Sequence, residues 1–373
     1  LGRTYGLLGG ASQPDRNAWR RSEWQRLQPR LPAMALAQKV DLAERILKAM
    51  GLRGPVPALL VLLGHGSQSA NNPQAAGLDC GACCGQSGEI NARLLAGLLN
   101  ETKVRVGLRA RGLDLPPQCR VLAGLHNTTT DEVRIFADEA LPAALQPSWQ
   151  RLRTALDLAT AAVRRERADA LGLAALADKP DRLLARLRRR ARDWAQTRPE
   201  WGLAGNAAFI AAPRARTRGV DLQGRAFLHD YDWRLDEDGQ LLESIMTAPM
   251  VVAHWINLQY FTSTTDNLRF GSGNKLLHNV VGGHIGVFEG NGGDLRIGLA
   301  RQSLHDGQKW RHRPLRLHVV IEAPRARLDQ VIANQPVVRD LVRHGWLHLL
   351  RLDAEPASLE RRTASGWQQL PEA

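Results

Sequence analysis

Lysine is nearly absent from this 373-residue sequence: only six of its 50 basic residues are not arginine. With 37 acidic residues the formal net charge is +13. That surplus permits anionic partners, nucleic acid or an anionic membrane face, without choosing between them. Cysteine is scarce, at four, and Cys80, Cys83 and Cys84 crowd into five positions. Such crowding does not make the disulfide framework of a secreted protein; it points to metal or thiol chemistry in a reducing compartment. No uninterrupted apolar run reaches about 18 residues, so no spanning helix is predicted. No basic-then-apolar signal segment opens the chain. His-Glu-x-x-His, Gly-x-x-x-x-Gly-Lys-Ser/Thr and Gly-x-Ser-x-Gly are all missing, and with them the signatures of metalloproteases, P-loop proteins and serine hydrolases. No fixed-period repeat occurs. What remains is 44% hydrophobic residues, enough to bury a core and to exclude wholesale disorder.

The pattern along the chain predicts an α/β fold. Val40, Ala43, Ile46, Leu47 and Met50 form a helical stripe ending at Gly51. Ala58 to Leu63 reads as a buried parallel strand, followed by the loop Gly64-His65-Gly66-Ser67-Gln68-Ser69-Ala70-Asn71-Asn72-Pro73. Glu89 to Leu99 returns to helical spacing. Arg120 to Leu125 is a second strand, again running into a polar loop, His126-Asn127-Thr128-Thr129-Thr130-Asp131-Glu132. Residues 148–196 read as two Arg-rich helices broken near Asp178-Lys179-Pro180. Their arginines cluster at Arg164, Arg165 and Arg167, and at Arg186, Arg188, Arg189, Arg190 and Arg192. Such clusters are solvated faces, subunit or lipid-headgroup surfaces, or nucleic-acid contacts. No base-stacking aromatics accompany them, so the group around Arg188 is expected on a subunit or membrane-facing surface, with no nucleic-acid partner. Beyond Trp201 come a strand end at Phe227–Asp232, a helix from near Pro249, and an apolar strand at Leu315–Glu322. Three regions are expected: residues 1–145, an α/β part; 146–198, an Arg-rich helical insertion; and 199–373, an α+β region packed on the core.

Chemistry concentrates at His65 and the cysteine cluster. Loops at the carboxyl ends of parallel strands are where α/β folds place reactive groups. Cys80 follows His65 by 15 residues, and imidazole and thiolate are ligands zinc favours. Three readings stay open: His65 and Cys80 are zinc ligands; the thiol is inert and the histidine only hydrogen-bonds; or Cys80 and Cys83 form a redox pair. A Cys₃His set using Cys83 and Cys84 suffices in number, but successive side chains diverge on an extended backbone. Cys119 reads as a small core residue. His126, His278 and His284 read as structural hydrogen-bonders. The Gly-rich strings at Gly271–Lys275 and Gly290–Asp294 read as tight turns.

Several strings together carry a resemblance. Gly64-His65-Gly66-Ser67, Asn71-Asn72-Pro73 and Leu78-Asp79-Cys80-Gly81-Ala82-Cys83 come first. Asn91-Ala92-Arg93, His126–Asp131, Trp201–Phe209, Thr247–Val252, Asn257–Tyr260, Asn267–Gly273 and Asn291–Arg296 follow in order. The sequence is similar, from about residue 35 to about residue 330, to the DabA family, large subunits of bacterial energy-coupled inorganic carbon transporters. The resemblance implies a β-carbonic-anhydrase-like core and one zinc ion. Two ligands would come from a Cys-x-Asp-x-Arg motif and two from the positions of His65 and Cys80, leaving Asp79 outside the ligand set. It also implies a polytopic membrane partner, DabB, a place on the cytoplasmic face of the inner membrane, and zinc-dependent one-way hydration of CO₂ coupled to cation flux. A non-catalytic structural or assembly subunit of the same complex is the alternative. No Cys-x-Asp-x-Arg occurs in these 373 residues, and Cys84 stands where the family usually has Gly. With Leu as first residue, the sequence is expected to be the carboxyl-terminal portion of a longer or split family member, inactive alone.

Overall fold

A computed structural model describes residues 29–52, 56–68, 87–136, 141–193, 203–271, 298–353 and 358–371. Cys80, Cys83, Cys84, His278, His284 and the Gly290–Asp294 string lie outside these. The chain divides into two units, the first mainly residues 1–46 and 54–201, the second mainly 47–53, 202–288 and 292–373.

In the first unit, α1 (Leu36–Ala49) turns Val40 and Ala43 inward. The predicted strands form as β1 (Leu59–Gly66) and β2 (Arg120–Asn127), paired in parallel with Leu59 opposite Arg120 and His65 opposite His126. Between them α2 (Glu89–Asn100) packs on both strands through an inner face that buries Ala92, Ala96 and Leu99. The short α3 (Thr102–Arg109) buries Val104 and Leu108. The polar loop after β2 is a hairpin turn: β3 (Glu132–Phe136) runs back antiparallel, completing the order β1-β2-β3. β1 is therefore an edge strand among the described residues. This corrects the expectation of a fully buried run, for Leu63 stays 48% exposed.

The Arg-rich segment forms α4 (Gln146–Ala168) and α5 (Pro180–Ala191), broken where Asp178-Lys179-Pro180 predicts. Proline at the first turn lacks only an N–H that the helix leaves unpaired anyway. Leu141, Leu145 and Trp149 pack with Leu122 against the sheet. Leu183 and Leu187 of α5 close on Ala168 and Leu171. Burying each such leucine is worth about 1.5–3 kcal/mol.

The second unit holds β4 (Ala208–Ala212), β5 (Ala226–Asp230), β6 (His318–Glu322), β7 (His348–Leu352), β8 (Leu359–Thr363) and β9 (Gly366–Gln369). Their order is β5-β4-β6-β7-β8-β9. The first four are mutually parallel and the last two antiparallel. The α+β expectation for this region is corrected by its connectivity. Helices α6 (Gln240–Thr247) and α7 (Pro249–Thr265) lie between β5 and β6, and α8 (Arg325–Asn334) and α9 (Pro336–Arg343) between β6 and β7, the crossover arrangement that parallel strands require. Val319 and Ile321 meet Leu242, Ile245, Met246 and Met250 in one core.

The stretch Gln240–Thr265 is long and apolar enough to cross a membrane by length and composition only; half of its most apolar window is buried within the protein. It comprises α6 and α7, with a non-helical Ala248 between them. Its His254, Asn257, Tyr260 and Ser263 are buried. Asn257 donates to Asn206 Oδ1 at 2.9 Å and to the Leu315 carbonyl at 3.0 Å.

Candidate functional site

Two glycines decide how closely the chain can approach His65. An added Cβ on Gly64 would sit 2.3 Å from the carbonyl carbon and oxygen of Gly88, and on Gly88 it would sit 3.0 Å from Gly64 Cα. Backbone therefore lies on backbone where β1 meets the start of α2. The Gly88 N–H donates to the His65 carbonyl at 2.8 Å. One residue on, buried Glu89 pairs with Arg93 at 3.1 Å, and the Arg93 guanidinium stacks over Phe136 at 5.0 Å. The backbone of His65 is thus fixed from the α2 side.

The β2 side fixes it as well. Gly66 O accepts from Thr128 N at 2.8 Å and from Thr128 Oγ1 at 3.2 Å. Gln68 N donates to Thr129 Oγ1 at 2.9 Å, and Asn127 Nδ2 donates to Gln68 Oε1 at 3.2 Å. The two polar loops that follow the parallel strands are therefore one hydrogen-bonded structure. Their in-register pairing makes His65 and His126 direct neighbours. The His65 side chain keeps open surface, yet the protein around it disfavours the imidazolium, and the His126 ring adds to this, so its pKa lies below the ordinary histidine value. A neutral imidazole is the form that ligates a metal.

The turn itself is under constraint. Asp131 sits at φ +55°, 3% exposed. A non-glycine residue in that region costs of order 1–3 kcal/mol and persists only where its surroundings hold it. The holders come from α4. Arg164 donates to the Asp131 carbonyl at 3.3 Å. Arg167 donates to the Thr128 carbonyl at 3.1 Å and pairs with the Asp131 carboxylate. The other Asp131 oxygen lies 3.2 Å from His126 Nε2. Arg188 of α5 pairs with Glu132.

This corrects an outward reading for Arg164 and Arg167 alone, whereas the group around Arg188 does lie on the surface. Arg164 and Arg167 clamp the His126 turn, Arg188 is paired, Arg165 pairs with Asp178 at 2.9 Å, and Arg190 donates to the Leu171 carbonyl. Arg182, Arg186, Arg188, Arg189 and Arg192 remain exposed. The clamp had a sequence signal that was missed. Trp149, Leu152, Leu156, Thr160, Arg164 and Ala168 share one helical stripe, so Arg164 occupies a core position.

Of the two predicted ligands, His65 stands at the carboxyl end of β1 and Cys80 lies outside the described residues. Among the described residues no group of three His, Cys, Asp or Glu side chains is arranged to hold a metal. His65 fits zinc in kind, as an exposed imidazole biased toward neutrality. The described residues do not complete a set in number. Cys119 is wholly buried and its thiol pKa is pushed up by burial, as a core residue requires.

In the second unit, strand order reverses between β4 and β6, where α/β sheets open a crevice beyond the strand ends. Glu322, 1% exposed, ends β6 there. It accepts from Arg216 at 2.6 Å, with Arg234 at 3.7 Å.

A family model described as "Probable inorganic carbon transporter subunit DabA" matches residues 2–347. Proteins carrying the same description are similar over nearly the whole chain. One from Ectopseudomonas mendocina (strain ymp) is 71% identical over 371 residues, 99% of this chain and 46% of that protein. One from Paracidovorax citrulli (strain AAC00-1) is 61% identical, covering 91% of this chain and 41% of its own. One from Acidithiobacillus ferrooxidans (strain ATCC 53993 / BNL-5-31) is 51% identical, covering 99% and 46%. The chain thus spans under half the length of the curated relatives it matches. No solved structure matches it.

Proposed function

The chain belongs to the DabA family, and we propose that it supplies the His65 and Cys80 half of a zinc centre in an inorganic carbon transporter subunit with a β-carbonic-anhydrase-like core. The remaining ligands come from a Cys-x-Asp-x-Arg segment outside these 373 residues, upstream in the same polypeptide or encoded separately. The observation that carries the reading is the position of His65. It ends a parallel strand, its backbone is fixed from two sides, and its imidazole is biased toward the neutral, ligating form. When bound, zinc supplies the Lewis acidity that makes water a nucleophile toward CO₂ at neutral pH. His65 donates an imidazole nitrogen, Cys80 a thiolate, and the turn at His126 walls the same strand-end space.

The assembled protein works with the polytopic partner DabB at the cytoplasmic face of the inner membrane, hydrating CO₂ one way to bicarbonate as cations flow. The apolar stretch at 240–265 and the exposed arginines of α5 support membrane proximity. Each exposed arginine near an anionic leaflet gains about 1 kcal/mol.

Zinc content of variants carrying both halves tests the ligand set. His65→Ala and Cys80→Ser lose the ion. Asp79→Asn and Cys83→Ala keep it. Zinc lost with Cys83→Ala but kept with His65→Ala overturns the assignment. CO₂ hydration with DabB present that is indifferent to His65 and Cys80 leaves the assembly-subunit reading in its place.

A further inference from the structure

Resting on the zinc reading of His65, we infer that Arg167, Asp131 and His126 form a positioning chain, in which the Arg-rich helix sets a second, carboxylate-aimed imidazole beside the His65 ligand. The links are three. Arg167 of α4 pairs with one Asp131 oxygen and also holds the Thr128 carbonyl at 3.1 Å. The other Asp131 oxygen meets His126 Nε2 at 3.2 Å. His126 is the register neighbour of His65 across the parallel pair.

Each link restricts the next. A carboxylate bound to a guanidinium accepts hydrogen bonds and has none to give, so His126 presents Nε2–H to it. In the neutral ring Nδ1 then remains as the acceptor. A carboxylate behind a histidine is how protein sites fix an imidazole's tautomer and ring plane. Asp131 is itself immobilised. It is 3% exposed, its N–H donates to the Asn127 carbonyl at 2.7 Å, and Arg164 holds its carbonyl. A turn needing no more than a reversal of direction requires none of this apparatus. Its rigidity makes sense if the His126 ring must stand in one orientation next to the metal ligand. Arg167 and Asp131 are positioning residues here, acting through His126.

The test has two arms. In the first, the 373-residue chain is labelled with ¹⁵N-histidine and the ring tautomers are read by long-range NMR correlation near pH 8. His126 is expected as Nε2–H. Arg167→Ala is expected to mix the tautomers and Arg167→Lys to restore most of the wild-type signal. A wild-type His126 in the Nδ1–H form overturns the chain of contacts. This arm needs neither zinc nor activity, so it stands or falls apart from the zinc reading.

In the second, Asp131→Asn is placed in protein carrying both halves. Asn tolerates the left-handed turn, so the fold survives the change. Zinc is expected to stay while kcat for CO₂ hydration falls roughly 10–100-fold, the usual range for a group that orients a metal ligand's surroundings, with KM within about twofold. Wild-type kcat in zinc-loaded Asp131→Asn overturns the inference, and so does loss of zinc, which would make Asp131 a scaffold for the ligand instead. Zinc retained by His65→Ala with the His126 tautomer as expected refutes the zinc reading alone.

Discussion

Replacing Gly64 by alanine tests whether the close approach of β1 to α2 is what fixes His65. The new Cβ would lie 2.3 Å from the carbonyl carbon and oxygen of Gly88 and 2.9 Å from the backbone nitrogen of Glu89. Heavy atoms settle at about 3.5–4.0 Å, so the junction must open by about 1 Å. Its neighbours are backbone, and no rotamer change relieves them. Overpacking of this kind costs about 1–3 kcal/mol. Opening the junction also stretches the Gly88-to-His65 hydrogen bond, worth about 0.5–1.5 kcal/mol. The expected loss is about 2–4 kcal/mol, which for a unit of this size lowers Tm by roughly 5–15 °C. Gly97→Ala is the control. Gly97 is an exposed interior position of α2 whose added Cβ meets nothing within 4 Å. There alanine should stabilise by about 0.5–1 kcal/mol. Scanning calorimetry on the three proteins decides it. A Gly64→Ala protein melting with the wild type refutes the reasoning, because the strand-helix contact would then be looser than described.

Acid should weaken the second unit through Glu360, whose carboxyl is held down to about 2 by hydrogen bonds from Arg325 and then Arg351. Its contribution is full above the ordinary carboxylate range and fades as pH falls toward about 2. Glu360→Gln should flatten that part of the stability–pH curve, and an unchanged curve rules the assignment out. His312 is lowered to about 4 by burial and then by Arg225, with Nδ1 accepting from Gly205 N at 3.0 Å. Its stabilising effect is complete above about 6.5 and lost as pH falls through about 4, so its NMR signal should stay neutral at pH 5.5; a midpoint near 6.5 contradicts this. Arg105 donates to the carbonyls of Leu99 at 2.7 Å and Cys119 at 2.8 Å and to Asn100 Oδ1 at 2.8 Å. Arg105→Met should cost about 2–3 kcal/mol in urea unfolding, since the orphaned acceptors are part-buried, and a loss below about 0.5 kcal/mol would show that water replaces the guanidinium.

Much of the fold was legible in both units wherever its signals are local. The apolar run before Gly64, the stripe from Val40, the break at Pro180 and the apolar Leu315–Glu322 segment each name an element without reference to distant residues. β3 is harder to see: Glu132-Val133-Arg134-Ile135-Phe136 alternates with period two, but the run is short and follows directly on a polar loop. The hairpins β7 to β9 were missed for a related reason: Leu359-Glu360-Arg361-Arg362-Thr363 is mostly charged, and its charges are satisfied by residues far away in sequence. Glu360 meets Arg325 and Arg351, and Arg362 meets Asp329 at 3.1 Å. His65 was identified because a strand-end loop is a local feature. Its neighbour His126 was dismissed because a register between two strands is not.

The arginine bias becomes intelligible once its partners are seen, and they are often carbonyls. Arg105 serves Leu99 and Cys119, Arg164 the 130–131 turn, Arg167 Thr128, Arg190 Leu171, Arg327 Trp233 and Asp236, and Arg351 Ala323. A carbonyl at a helix end or in a turn needs a donor but does not neutralise a charge, so such bonds leave the excess of 50 basic over 37 acidic residues standing. Lysine would fill these places poorly. Its compact ammonium is strongly hydrated and its three donors point from one atom, whereas guanidinium spreads five donors in a plane and is weakly hydrated. A chain that ties its turns with side-chain donors therefore accumulates arginine and positive charge together. On this argument a high net charge is a poor guide to an anionic partner. The residues that bear on one are arginines left exposed, among them Arg182, Arg186, Arg188 and Arg189 of α5, and not the total charge.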